Sequence, residues 1–222
     1  MTSSLDPIAA AMVKDIEPAS LAESSAAESA TVAAGRSSVP EPIIRYGKVL
    51  IRSHYLDDAP ALATLANNPK IAKNLRNRFP NPYGLEDAFS WLSVSLNRTP
   101  KINFAICTTD GTLAGGIGLI LGTDVEHRNW EMGYWLGEPF WGQGLATDAA
   151  TAFSRWVFKA FPEVVRLQCQ IFETNLGSQR VAAKAGFTYE GNLRKAVEKN
   201  GQIMDLVVFS LLREEVEEWQ DK

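Results

Sequence analysis

The chain has few of the residues that build metal centres and disulfides. Its two cysteines, Cys107 and Cys169, lie inside apolar, strand-like runs without CxxC spacing, and its only histidines are His54 and His127. A zinc site draws on three or four thiolate, imidazole or carboxylate ligands, so none is expected, and both cysteines read as buried free thiols. No stretch reaches the ~18 uninterrupted apolar residues that a membrane span needs. The N-terminus lacks a basic region followed by an apolar one, which argues against a secretory signal. These absences point to a reducing, cytoplasmic setting, with the nucleus left open. Positive charge is not in excess either: 22 Lys and Arg face 26 Asp and Glu, for a net charge of −4. Phosphate contacts need clustered Lys and Arg, so neither a nucleic-acid nor a membrane partner is expected.

Aromatic residues are missing from residues 1 to about 40. That stretch is rich in Ala and Ser and carries Asp6, Asp15, Glu17, Glu23 and Glu28 against Lys14 and Arg36. Such a composition cannot bury enough surface to offset its ordering entropy, so 1–42 reads as a flexible tail, with room for a short helix at Ile8–Ile16. Pro40 and Pro42 mark the entry to a single folded domain over 43–222. The whole chain, 222 residues at 45% hydrophobic and 22% charged, suits one α/β domain with an appendage.

Within that domain helices and strands alternate. Lys48–Ser53 reads as a first strand, and Asp57 as the cap of a helix to about Ala66. A second amphipathic helix is predicted over about Glu86–Leu96, after the breakers Pro80, Pro82 and Gly84. Ile102–Thr108 and Thr112–Leu121 form a hairpin at Asp110-Gly111, and Trp130–Leu136 is another strand. Thr147–Phe161 has helical spacing, Val164–Phe172 is strand-like, and Ser178–Ala185 is a short helix. Phe187–Arg194 and Ile203–Leu212 close the domain as a hairpin across Asn200-Gly201.

Gly142-Gln143-Gly144 stands between a strand and a helix. A helix start offers unpaired N–H groups and a positive dipole end, and glycines let successive N–H groups converge on an anion. The loop reads either as an anion site or as a tight structural turn. G-x-x-x-x-G-K-[ST] is absent, and Thr147 breaks the dinucleotide pattern G-x-G-x-x-G/A.

Glu131-Met132-Gly133-Tyr134-Trp135-Leu136, followed by Phe140-Trp141-Gly142-Gln143-Gly144-Leu145-Ala146-Thr147-Asp148-Ala149, resembles the acetyl-CoA site of the GNAT N-acetyltransferases. Asn175-Leu176-Gly177-Ser178 with Lys184-Ala185-Gly186-Phe187 is similar to that superfamily's next motif. The resemblance runs in order from about Val49 to Leu212 and is greatest to the ribosomal-protein N-terminal acetyltransferases. It implies a mixed, mostly antiparallel twisted sheet of about six to seven strands flanked by helices. It also implies acetyl-CoA as cofactor and CoA as product, with an amine acceptor that is a small molecule or a protein N-terminus. A monomer or a homodimer fits it equally.

By this resemblance the N–H groups of Gly142, Gln143, Gly144, Leu145 and Ala146 hold the pyrophosphate, and Thr147 belongs to the cofactor site. The strand end at Tyr134, Trp135 and Leu136 offers backbone pairing to the pantetheine, and Asn175 bonds it from the next strand. Trp141 stands where the superfamily has Gln or Arg, so it reads as a plug under the loop or as a cofactor contact. Ala182 stands where many members carry a tyrosine that acts as the acid. Ser178 is then the best remaining hydroxyl, as a general acid or as a helix cap. Glu131, inside an apolar strand, is the candidate base, with a salt bridge as the alternative. Asp205 either orients the amine or faces solvent, and His54 and His127 read as surface or loop residues. Asn74, Arg76, Asn77, Arg78, Phe79 and Tyr83 form a candidate acceptor patch. A non-catalytic acyl-CoA-binding or regulatory module of the same fold is the competing reading.

Overall fold

The computed structural model describes residues 38–217; the expected helix at Ile8–Ile16 lies outside them. The strands are β1 (Pro42–Tyr46), β2 (Val49–Ser53), β3 (Asn103–Thr108), β4 (Leu113–Ile120), β5 (Asn129–Leu136), β6 (Arg166–Phe172), β7 (Thr188–Lys199) and β8 (Gln202–Leu212). They form one eight-stranded sheet in the order β1-β2-β3-β4-β5-β6-β8-β7. Every pairing is antiparallel except β5 with β6. The sheet is thus one strand larger than expected. The addition is β1, hidden in the sequence by its proline. Pro42 is tolerated because it opens an edge strand, where a missing N–H breaks little of the ladder.

The helices are α1 (Ala59–Ala66), α2 (Pro69–Ala72), α3 (Leu85–Asn97), α4 (Leu145–Ala160), α5 (Leu176–Lys184) and α6 (Arg213–Glu217). They cover both faces of the sheet. Against α4 lies the larger core, where Phe153 stacks with Trp156 and meets Phe104 edge-on at 5.5 Å. On the other face a smaller core joins α1 and α3 to Tyr83, Ala105, Cys107 and Leu113. Alternation along β5 assigns its side chains as the pleat requires. Trp130, Met132 and Leu136 enter the larger core, with Tyr134 packed on it, and Trp135 packs on the smaller one.

Some local expectations are revised. A 3-10 turn (Leu56–Asp58) precedes α1, and Asp57 does not cap it. The carboxylate of the neighbouring Asp58 instead accepts from Arg52 Nη1 and Nη2 at 2.9 and 2.7 Å, and lies 3.3 Å from His54 Nδ1. His54 is therefore no surface residue: it is 3% exposed, beside Arg52 at 4% and Asp58 at 3%. Cys107 and Cys169 are buried free thiols, and burial pushes the Cys107 thiol up to about 11. Among the described residues no helix is long and apolar enough to cross a membrane.

Candidate active site

The sheet opens at its centre. β5 and β6 pair only at Asn129↔Arg166, Trp130↔Leu167 and Glu131↔Gln168. Beyond that point β5 stays on β4 as far as Leu136, and β6 stays on β8 as far as Phe172. Two facing strand edges, Met132–Leu136 and Cys169–Phe172, are thereby left without ladder partners from each other. Buried backbone donors and acceptors need partners, so such a cleft is suited to an extended, amide-bearing chain.

At one end of the cleft the chain turns from β5 into α4. Gly142 and Gly144 have φ of +73° and +86°, and a Cβ on either would meet nothing within 4 Å. The glycines therefore serve backbone conformation and leave an open concavity, rather than relieving a clash. Because Gly144 turns the chain so tightly, α4 begins at Leu145, two residues before the expected start. The first-turn N–H groups of Leu145, Ala146 and Thr147 are consequently free of intrahelical acceptors and face the helix's positive end. The indole N–H of Trp141 donates to Leu136 O at 2.8 Å and ties the loop to the strand end. The Gln143 side chain folds back on Pro139 O, and Lys48 Nζ donates to Gln143 O at 3.1 Å.

At the other side of the cleft Asn175 caps α5. Its Oδ1 accepts from Ser178 N at 3.1 Å, and its Nδ2 donates to Ser178 Oγ at 3.0 Å. Ser178 Oγ is thus an acceptor toward Asn175, which leaves its own proton to be given elsewhere. Tyr134 reaches across from β5 and donates its hydroxyl to Ser178 O at 3.1 Å. Burial pushes the Tyr134 phenol far up, so it stays protonated at all physiological pH. Ala182 is fully buried in the larger core, so no hydroxyl reaches the cleft from that turn.

Glu131 lies on the opposite face of β5, at the point of divergence. Its Oε1 and Oε2 accept from Arg76 Nη2 at 2.8 and 2.9 Å, and the same nitrogen donates to Gln170 Oε1 at 3.1 Å. Exposed Gly133 follows Glu131 on that face, with nothing within 4 Å of a Cβ there, so the carboxylate borders open space.

The Acetyltransferase (GNAT) domain model matches residues 48–188. The chain belongs to the GNAT N-acetyltransferases. Acetyl-CoA is the acetyl donor of that family, and the open cleft, positive-φ glycines and unpaired first-turn N–H groups of this GNAT domain fit such a molecule. The chain is 35% identical over 108 residues to YdaF of Bacillus subtilis, whose name places it among ribosomal N-acetyltransferases; the match covers 49% of this chain and 58% of that protein. It is 25% identical over 172 residues to the N-acetyltransferase p20 of Bacillus licheniformis, covering 76% of this chain and 94% of that one. The solved structure of the microcin C7 self-immunity acetyltransferase MccE, in complex with acetyl-CoA and AMP, superposes with a TM-score of 0.64 at 26% identity, over 74% of this chain and 92% of MccE.

This acetyltransferase thus gathers most of its predicted site residues around one opening. Tyr134, Leu136, the 141–147 loop, Asn175 and Ser178 line the α4 and α5 face, and Glu131 the other. Trp135 shares the open strand edge through its backbone, while its ring packs on Phe79 at 6.0 Å in the smaller core. The acceptor patch divides likewise. Tyr83 is buried and Phe79 packs against it, while Arg76, Asn77 and Arg78 stay exposed. Asp205 is half-buried, and its Oδ1 accepts from Lys195 N at 2.9 Å at a bulge in β7. Lys48 escaped notice because it lies 95 residues from Gln143 in the chain and carries no local signal.

Proposed function

We propose that the domain over 43–222 transfers an acetyl group from acetyl-CoA to a primary amine by direct attack, with Glu131 as general base and Ser178 as general acid. The observation that supports this most is the placement of the two groups on opposite faces of one opening in the sheet. A donor bound along the 141–147 loop lies on the Ser178 face, and an amine entering past Gly133 meets Glu131 first.

Bound acetyl-CoA supplies an acetyl thioester, so that a C–N bond forms as the C–S bond breaks and CoA leaves as a thiol. Glu131 accepts the proton that the ammonium or the attacking amine must lose, at either carboxylate oxygen. Arg76 holds that carboxylate in place, and ionised oxygens carry spare lone pairs beside the Arg76 contacts. Ser178 Oγ gives its proton toward the departing sulfur and regains one from water, while Asn175 fixes the direction of that O–H. Backbone N–H groups on the open β5 edge, around Tyr134–Leu136, are preset donors for negative charge that develops at the carbonyl oxygen. Trp141 anchors the phosphate loop from beneath, and Asn175 retains one amide hydrogen for the pantetheine.

The test is thiol release over a panel of amines and short peptides, with Glu131→Gln and Ser178→Ala. General acid–base groups contribute ~10²- to 10⁴-fold, so each variant should lose at least ~100-fold in kcat while acetyl-CoA affinity changes little. Full turnover in both variants overturns the assignment of roles. A wild-type protein that binds acetyl-CoA and acetylates no amine supports the acyl-CoA-binding module instead.

A further inference from the structure

A cavity of about 170 Å³ is lined by Arg76, which holds Glu131, and by Asn77, Phe172, Val197, Glu198 and Lys199. It lies where the tip of the β7–β8 hairpin meets the 73–84 loop and the end of β6. Lys199 is only 8% exposed as a residue, yet its ammonium is not among the buried side-chain nitrogens of the described residues. Burial lowers its pKa. The stem is what the fold covers, and the ammonium opens on the cavity, where an entering anion would find a charged donor. Glu198 borders the same cavity but is exposed, and the Arg76 charge is already engaged by Glu131. The charge left open in the cavity is therefore that of Lys199.

Arg76 connects the cavity to the base. All its contacts to Glu131 and Gln170 use Nη2, which leaves the rest of its five-donor fork for a ligand. A group in the cavity and an amine at Glu131 would be separated by a single guanidinium.

We infer that the acceptor is an amine carrying an anionic group, a carboxylate or a phosphate, a few bonds from the nitrogen, with the anion seated on Lys199 and Arg76. This rests on the acetyltransferase reading above and narrows its substrate class. The reacting nitrogen stays at Glu131, and the anion selects which amines are held there.

The experiment compares matched acceptors by kcat/KM. The pairs are β-alanine with β-alaninamide, O-phosphoethanolamine with ethanolamine, and pentapeptides with Asp or Asn after an N-terminal Ser. The first two pairs separate carboxylate from phosphate, and the third separates peptide from small-molecule sources. A charged hydrogen bond is worth enough to favour the anionic member of at least one pair by ~10- to 100-fold. Lys199→Gln should collapse that preference through KM with kcat retained, and Lys199→Arg should restore it. Equal kcat/KM within every pair, or a preference that survives Lys199→Gln, overturns this inference and leaves the enzyme class standing. Failure to acetylate any member overturns both.

Discussion

Trp141→Phe removes one donor and little else. The ring is 42% exposed, and its indole N–H donates to Leu136 O at 2.8 Å. Phenylalanine keeps most of the apolar contact and loses that bond. A neutral hydrogen bond contributes ~0.5–1.5 kcal/mol net. Here it joins the phosphate loop to the end of the strand that borders the cleft, so its loss appears as a less preorganised loop. At ~1.4 kcal/mol per tenfold, acetyl-CoA should bind about 2- to 12-fold more weakly. Titration calorimetry measures this directly, and kcat at saturating acetyl-CoA should stay within about twofold, because neither Glu131 nor Ser178 contacts the ring. An unchanged affinity, or a loss confined to kcat, would refute the view that Trp141 acts by anchoring the loop.

Asp58→Asn should destabilise the fold by ~3–5 kcal/mol in denaturant unfolding, because it leaves Arg52 buried without its counter-ion; a loss below ~1 kcal/mol would contradict the packing described. Acid should weaken the wild type through groups of the same kind. Burial alone would raise the Asp58 pKa, but hydrogen bonds from Arg52 and His54 outweigh it and hold the carboxyl below its ordinary range. The hydrogen bonds of Arg166 and Ser210 lower Glu190 to about 2. Depressed carboxyl groups contribute stability that is present above their unfolded pKa of ~4 and lost as pH falls through the folded values. Urea midpoints should therefore decline from about pH 4 downward, and less steeply in Asp58→Asn; an identical slope in the variant would count against the Asp58 contribution.

What could be read in advance follows physical locality. β5 announced itself because an alternating pattern has one solution for which side chains face each core, and Glu131 stood out on the polar side of it. The 141–147 loop was legible because glycine conformation is decided within a few residues, whereas the cap of α5 is Asn175 and not the Ser178 that was the candidate for it. Non-local pairings left no such trace. The bonds from Arg52 and His54 to Asp58 bury a histidine that was expected at the surface or in a loop, and that does lie in a loop. The bond from Lys195 N to Asp205 at the β7 bulge had no local signal either. Arg76 was visible as a cation on a loop, yet nothing in its neighbours revealed that it holds Glu131, 55 residues away. The hairpin tip at Asn200-Gly201 was predicted as a turn, and nothing local showed that Lys199, at the end of β7 beside it, has its stem covered by the fold.

The central claim is that the 141–147 loop holds the phosphates of acetyl-CoA mainly through backbone, and thermal unfolding with and without the cofactor tests it most directly. At 100 times its dissociation constant, a ligand bound only to the folded state adds ~2.7 kcal/mol, which for a domain of this size is a rise in midpoint of ~5–11 °C. Gly144→Val places a β-branched residue at a φ of +86° and should remove that rise while the ligand-free protein still unfolds cooperatively. A wild-type midpoint unmoved by saturating acetyl-CoA, or an equal rise in Gly144→Val, would contradict the account.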